Sequence, residues 1–378
     1  MIAAEEIEGR LARFQAALAA GGLDAAVIVE STDLAYLTGT NQQAHLIVPA
    51  SGRPRLLVRR TLERAREESP LELIERLGSL SGLADALAGC GVDAGATVGL
   101  ELDVLPAARY LGYQQRLPGY RLGDCSQALR GVRAVKTGWE LEQMRAAAEQ
   151  VRTAAERVPS LLRVGVSEAM VQADVERVLR GAGHQGQLRF RGFNQEMHYG
   201  QVLCGPGPNP VLGKGPDDHV LAVGDPVIVD LVGGHQGYLA DQTRTFALGP
   251  LPADLRAAYD QAVEILRAVE PEIRPGTAPS ALFELAEQLA ERAGLDEHFM
   301  GHGAGRIRFL GHGVGMEIDE LPVLAPGFDE PMVEGNVIAV EPKFVFPGRG
   351  AVGIENMYAV TADGFETITT AAEELIES

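Results

Sequence analysis

The chain has 378 residues, 46% hydrophobic and 22% charged, with a formal net charge of −19. That length admits two ordinary domains with a large core, and the composition is that of a soluble globular protein. The acidic balance argues against nucleic acid or an anionic membrane surface as a partner. No stretch near 18 uncharged apolar residues is present, so no transmembrane helix is expected. The start, Met1-Ile2-Ala3-Ala4-Glu5-Glu6, puts acids where a signal peptide needs a basic run, which makes the cytoplasm the expected location. Cys90, Cys125 and Cys204 are odd in number and widely spaced, as reduced thiols are, and form neither a disulfide framework nor a zinc knuckle.

Residues 1–135 alternate helical and strand patterns, as an α/β domain does. Ile7, Leu11, Phe14 and Leu18 mark a helix from Glu5 to Ala20, and Leu23 to Val29 is a buried strand-like run. The runs Ala44 to Val48 and Pro54 to Val58 flank Ser51-Gly52-Arg53, which predicts a hairpin. Thr97 to Leu100 is one more short strand. A domain boundary is expected near Val132 to Gly138.

From residue 136 to 378 the chain repeats itself at an offset of 111. Gln150 falls on Gln261, Gly165 on Gly276 and Gly183 on Gly294. Each half has the order helix, helix, strands. In the first half, Glu140 to Arg157 is helical, Ser167 caps a helix from Glu168 to Leu179, and Gly181 and Gly183 stop it. The second half repeats this with Asp254 to Val269, the turn Pro275-Gly276-Thr277, and Ser280 to Arg292 ending at Gly294. Helices backing a curved antiparallel sheet, with two halves related by a pseudo-twofold axis, are expected.

The same offset aligns the apolar run ending in Asp230 with the one ending in Glu341. A second acid follows each, Asp241 after eleven residues and Glu355 after fourteen. Four carboxylates converging near a pseudo-twofold axis cannot all stay ionised without a cation, so this pattern points to metal. Two Gly-His-Gly triplets, around His302 and His312, offer an accessible imidazole. Four carboxylates with one imidazole are too acidic for a structural zinc, which prefers thiolates. They suit two divalent ions, and manganese, cobalt, zinc or iron would each be accepted. The chemistry implied is hydrolysis of a polarised carbonyl, or proton abstraction beside one.

At these residues the chain resembles the pita-bread metallopeptidases, which include Xaa-Pro aminopeptidases, prolidases, methionine aminopeptidases and creatinases. The resemblance covers nearly the whole chain. Tyr36-Leu37-Thr38-Gly39 is similar to the creatinase-type N-terminal domain. The metal motifs are matched by Asp230, by Asp241 in Asp241-Gln242-Thr243-Arg244-Thr245, by His312 in Gly311-His312-Gly313-Val314-Gly315, by Glu341 before Pro342, and by Glu355. The segment Met316 to Pro322 selects His312 over His302 as the ligand. The resemblance implies an α+β protein: a creatinase-type α/β N-terminal domain, then a pseudo-twofold pita-bread catalytic domain with a curved antiparallel sheet. It implies a dinuclear hydrolase cleaving small peptides or peptide-like amides through a metal-bridging hydroxide. Glu341 would be the proton shuttle, and a homodimer is expected.

The departures matter as much. Asp319 stands where family peptidases carry a substrate-contacting histidine, and Gly213 stands where they carry a second one. The arginine usual before the last glutamate is replaced by Gly353. His198, His219 and His302 are candidates for spatial substitutes. Two alternatives therefore stay open. One is a non-peptide amide or amidine hydrolase, or a lyase, on the same metals, with Asp319 drawing a cationic substrate group. The other is a non-catalytic binding protein on the same fold.

Overall fold

The computed structural model describes residues 2–206 and 218–377, and the chain divides into two units, Met1–Arg133 and Ala134–Ser378. In the first unit Ile7, Leu11, Phe14 and Leu18 lie buried on the helix Ala4–Ala20. Residues three and four apart stack on a helix, so the four make one continuous apolar face. Six strands follow: β1 (Ala25–Ile28), β2 (Ala44–Pro49), β3 (Arg55–Val58), β4 (Ile74–Arg76), β5 (Thr97–Leu100) and β6 (Arg121–Asp124). They form a mixed sheet in the order β4-β3-β2-β1-β5-β6. β2 and β3 make the antiparallel hairpin read from the sequence, with Ala44 opposite Val58. Val27, Ile47, Leu57, Val98 and Leu100 pack with Leu83 and Leu87 into one core.

The second unit is built on the duplicated order. Its first helix, Gly138–Ala155, opens with a reciprocal cap between Thr137 and Glu140. Helix Glu168–Gly181, capped by Ser167, has its counterpart in Pro279–Arg292, each end displaced by the same 111 residues. Helix Ala253–Val269 completes the second pair. Gly165 and Gly276 both hold positive φ in the turns ahead of the paired helices. A side chain is strained there, which is why both copies keep glycine.

The remaining strands are β7 (Gly200–Cys204), β8 (Pro226–His235), β9 (Tyr238–Ala247), β10 (Gly311–Gly313), β11 (Glu320–Leu324), β12 (Val337–Val340), β13 (Lys343–Phe346), β14 (Gly350–Gly353), β15 (Asn356–Val360), β16 (Phe365–Thr367) and β17 (Ile376–Glu377). They hydrogen-bond as β17-β9-β8-β7, β11-β10-β12-β15-β16 and the pair β13-β14. All pairings are antiparallel except β17 with β9. Val151, Val175 and Leu179 pack with Val202, Val229 and Phe246 in the first half. Ala262, Leu266 and Phe283 pack with Ile338, Val340 and Tyr358 in the second. Among the described residues, no helix is long and apolar enough to cross a membrane.

Each unit also buries a neutral histidine. Burial, with help from Arg109 and Arg59, pushes His45 down to about 4, and its Nε2 lies 2.7 Å from the Tyr113 hydroxyl. Burial and Arg180 push His184 down to about 4, and its Nδ1 accepts the Gly186 N–H at 2.8 Å. Between the depressed folded value and the unfolded value, the unfolded chain binds the extra proton. The stability tied to each group is therefore complete above the unfolded value and declines as pH falls towards the folded one. Each should cost about 2 kcal/mol between pH 7 and pH 5. Thermal unfolding at the two pH values should show His45→Gln and His184→Gln each shrinking the wild-type difference. An undiminished difference would refute the assignment.

Candidate metal centre

The acids of the first half stand on one hairpin. Asp230 on β8 faces Thr243 on β9, and Asp241 lies two residues from Thr243. Side chains alternate along a strand, so Asp230, Thr243 and Asp241 share a face. In the second half the equivalent hairpin is interrupted at its acids. Val340 pairs with Asn356 on one side of the gap and Lys343 with Gly353 on the other. The register is the same across the break, which sets Glu341 opposite Glu355. Pro342, with no N–H to give, follows Glu341 at the gap. Arg244 pins the other strand there: it donates to the Glu355 carbonyl and to Asn356 Oδ1, both at 2.7 Å. Thr243 ties the halves together by donating its hydroxyl to Glu355 Oε2 at 2.6 Å and accepting the Glu355 N–H at its carbonyl at 3.0 Å.

His312 is delivered by strand β10, which lies between β11 and β12. A Cβ on Gly311 would come within 1.9 Å of the Ala339 carbonyl oxygen, and one on Gly313 within 2.1 Å of that of Leu321. Both glycines are thus demanded by close strand approach. The imidazole stacks on Phe309 and donates Nδ1–H to the Gly313 carbonyl at 3.1 Å. This leaves the Nε2 lone pair towards the acids, 3.6 Å from both Asp241 Oδ2 and Glu341 Oε1.

The five sequence-nominated ligands thus converge. Ligand atoms of Asp241, His312 and Glu355 lie within 4.8 Å of one another. Asp241 and Glu355 are almost wholly buried, and Asp230 Oδ1, Asp241 Oδ1 and Glu355 Oε1 are buried without a hydrogen-bond partner. Buried carboxylate oxygens left bare are costly unless a cation meets them. Burial, then Glu355, Asp230 and Glu341, push the Asp241 carboxyl well above its ordinary value. Burial likewise pushes Glu355 up to about 8, with Lys343 working against it and Glu341 and Asp230 reinforcing it. The donor set fits divalent ions: oxygen-rich, with one imidazole and bare oxygens facing inward.

One charged neighbour was not nominated from the sequence. Lys343 Nζ lies 2.6 Å from Glu341 Oε2, 3.4 Å from Asp230 Oδ2 and 3.7 Å from Glu355 Oε2. Burial works against its charge, but Glu341, Asp230 and Glu355 outweigh burial and hold it well above the ordinary lysine value. Its sequence signal was a lone cation in the apolar run Phe344-Val345-Phe346, two residues past a ligand.

The other nominated residues have different surroundings. Asp319 accepts the Arg191 N–H at 2.8 Å and the Gly192 N–H at 2.6 Å, so its carboxylate anchors that loop. His302 is exposed with Nδ1 on the Glu297 carbonyl, His219 pairs with Asp225 at 2.7 Å, and His198 is exposed. Gly213 lies outside the described residues.

A duplicated α+β unit with a buried acidic site, following an α/β unit in the sequence, is a metallopeptidase architecture. The chain belongs to metallopeptidase family M24, which residues 142–362 match, while residues 10–135 match the creatinase/prolidase N-terminal domain. It is 31% identical to a probable dipeptidase PepE of Mycobacterium tuberculosis over 99% of this chain and 97% of that one. It is 30% identical to an Xaa-Pro dipeptidase of Lactobacillus delbrueckii over 73% of this chain and 71% of the other. The crystal structure of dipeptidase PepE from Mycobacterium ulcerans superposes with a TM-score of 0.86 at 28% identity, covering 99% of this chain and 98% of that one.

The strand contact at β10 yields a prediction. Gly311→Ala should force β10 away from β12, lower stability by at least about 2 kcal/mol and displace His312. Denaturant unfolding and bound-metal analysis would check it. A variant with wild-type stability and metal content would contradict the close-approach argument.

Proposed function

We propose that the chain is a metal-dependent peptidase that cleaves small peptides, of the Xaa-Pro dipeptidase or aminopeptidase kind. The observation that carries this reading is the convergence of Asp230, Asp241, His312, Glu341 and Glu355 with three buried carboxylate oxygens left unpartnered. Family membership and the names of its dipeptidase relatives support it. The five side chains would hold the divalent ions, drawn from manganese, cobalt, zinc or iron. When bound, such ions supply Lewis-acid polarisation of the scissile carbonyl and activation of water near neutral pH.

The protein's own groups then have distinct tasks. His312 is held in one tautomer by the Gly313 carbonyl and offers Nε2. Thr243 fixes Glu355 through Oε2 and leaves Oε1 free for a cation. Glu341 has Oε2 against Lys343 and Oε1 on the His312 side. We assign it the proton transfer from attacking water to the leaving amine, a role implied by its family position. The count of two ions implied by the family meets an obstacle in Lys343. A cytoplasmic location and a homodimer belong to this reading and rest on composition and family resemblance.

A non-peptide amide or amidine hydrolase, or a lyase, is the second reading, since Gly213 and Asp319 stand where the family peptidases carry histidines. Two backbone N–H groups already satisfy Asp319, which weakens its pull on a cationic substrate.

The test is a panel of Xaa-Pro dipeptides, Xaa-Pro tripeptides and non-proline dipeptides with manganese-loaded protein. Chelation should abolish cleavage, and Asp241→Ala should lose bound metal together with at least about 100-fold in rate. Retained metal without cleavage of any peptide would overturn the peptidase reading in favour of the second. Absence of tightly bound metal would favour a binding protein instead.

A further inference from the structure

We propose that Lys343 is a resident cation that replaces one of the two divalent ions, so that the chain holds a single ion at Asp241, His312 and Glu355. The proposal rests on the metal-dependent reading above and departs from it in the count of ions and in Asp230 and Glu341, which it assigns to the ammonium and not to an ion.

The cluster is divided between two cations. Lys343 Nζ sits among Glu341, Asp230 and Glu355, at 2.6, 3.4 and 3.7 Å. Asp241, His312 and Glu355 form the group able to close around an ion. Glu355 is common to both, and its two oxygens differ: Oε2 takes the Thr243 hydroxyl, and Oε1 is bare. Charge alone does not choose the count: with the ammonium, one divalent ion leaves the four carboxylates one charge short and two leave one in excess. Position chooses it. A second ion on this face would stand against the ammonium and compete with it for Asp230 and Glu341.

The lysine is built in. Its side chain is 3% exposed, so it has no solvated position on the surface. Its rung partner is Gly353 on β14, and a Cβ there would come within 2.5 Å of Lys343 Cγ. The stem of Lys343 therefore runs through space that any side chain at 353 would need. Gly353 is the position where the family arginine is missing. The β13-β14 pair therefore carries its cation on the strand opposite that position, and from there it reaches the ligand acids. An ammonium suits the place, being a compact point charge with three donors facing three carboxylates.

The experiment is metal stoichiometry of the full chain. Metal-free wild type, Lys343→Met and Asp230→Asn would be dialysed to equilibrium against manganese, and bound ions counted by plasma mass spectrometry. The expected result is one ion per chain for wild type, two for Lys343→Met, and one for Asp230→Asn with affinity within about tenfold of wild type. Two ions on wild type would overturn the proposal while leaving the metal-dependent reading intact. No ion on wild type would overturn that reading, and the proposal with it. One ion on both wild type and Lys343→Met would show that the lysine does not set the count. Should Lys343→Met fail to fold, Asp230→Asn decides: an ion lost with Asp230 would place the site on the lysine side, against the proposal.

Discussion

Four carboxylates brought within a few ångströms of each other, mostly out of water, are the constraint on which the second unit depends. Glu341 and Glu355 face each other across one interrupted hairpin, and Asp230 and Asp241 share a face of another. Like charges directly opposite in a sheet destabilise it, and burial sharpens the cost. The strong upward push on Asp241 and on Glu355 measures how poorly the protein alone balances the cluster. Every nearby device reads as a response: the Thr243 hydroxyl on Glu355, the His312 lone pair facing Asp241 and Glu341, and the ammonium of Lys343.

The duplication shows how this site arises from a repeated unit. β8 is one continuous strand of ten residues, and the segment 111 positions later is split into β12 and β13. The split falls at Glu341-Pro342, where the missing N–H breaks the ladder. The partner strand is split too, into β14 and β15, at Ile354-Glu355. One half thus presents its acids from unbroken strands and the other from gaps. At the gap Glu341 and Glu355 share the ammonium of Lys343 with Asp230 of the first half. Close strand approach at Gly311 and Gly313 then fits His312 alongside.

Much of this was legible in the sequence where local chemistry and pattern agree. Helix Ala4–Ala20 followed from four apolar residues at helical spacing, and the β2-β3 hairpin from two strand-like runs around a glycine turn. The helices Glu168–Gly181 and Pro279–Arg292 could be read because each confirms the other at a fixed offset. The nominated acids and His312 do meet. What stayed hidden depends on contacts between segments. Asp319 looked like a substrate group, but its acceptors are spent on a loop far away in sequence. Helices such as Ser31–Thr38 escaped notice because almost every residue is buried, which erases the amphipathic signal.

Lys343 is the clearest case of meaning that appears only with register. Along the chain it is a single lysine in an apolar strand, and Gly353 is a single missing arginine. Neither has an interpretation alone. Once β13 and β14 are paired, Lys343 and Gly353 occupy one rung, and the stem of one fills the space the other leaves. The ammonium then lands on three of the four nominated carboxylates. Two residues ten positions apart thus act as immediate neighbours. On our proposal the ligand set alone does not fix the metal count, because a residue that binds no metal already occupies Asp230 and Glu341.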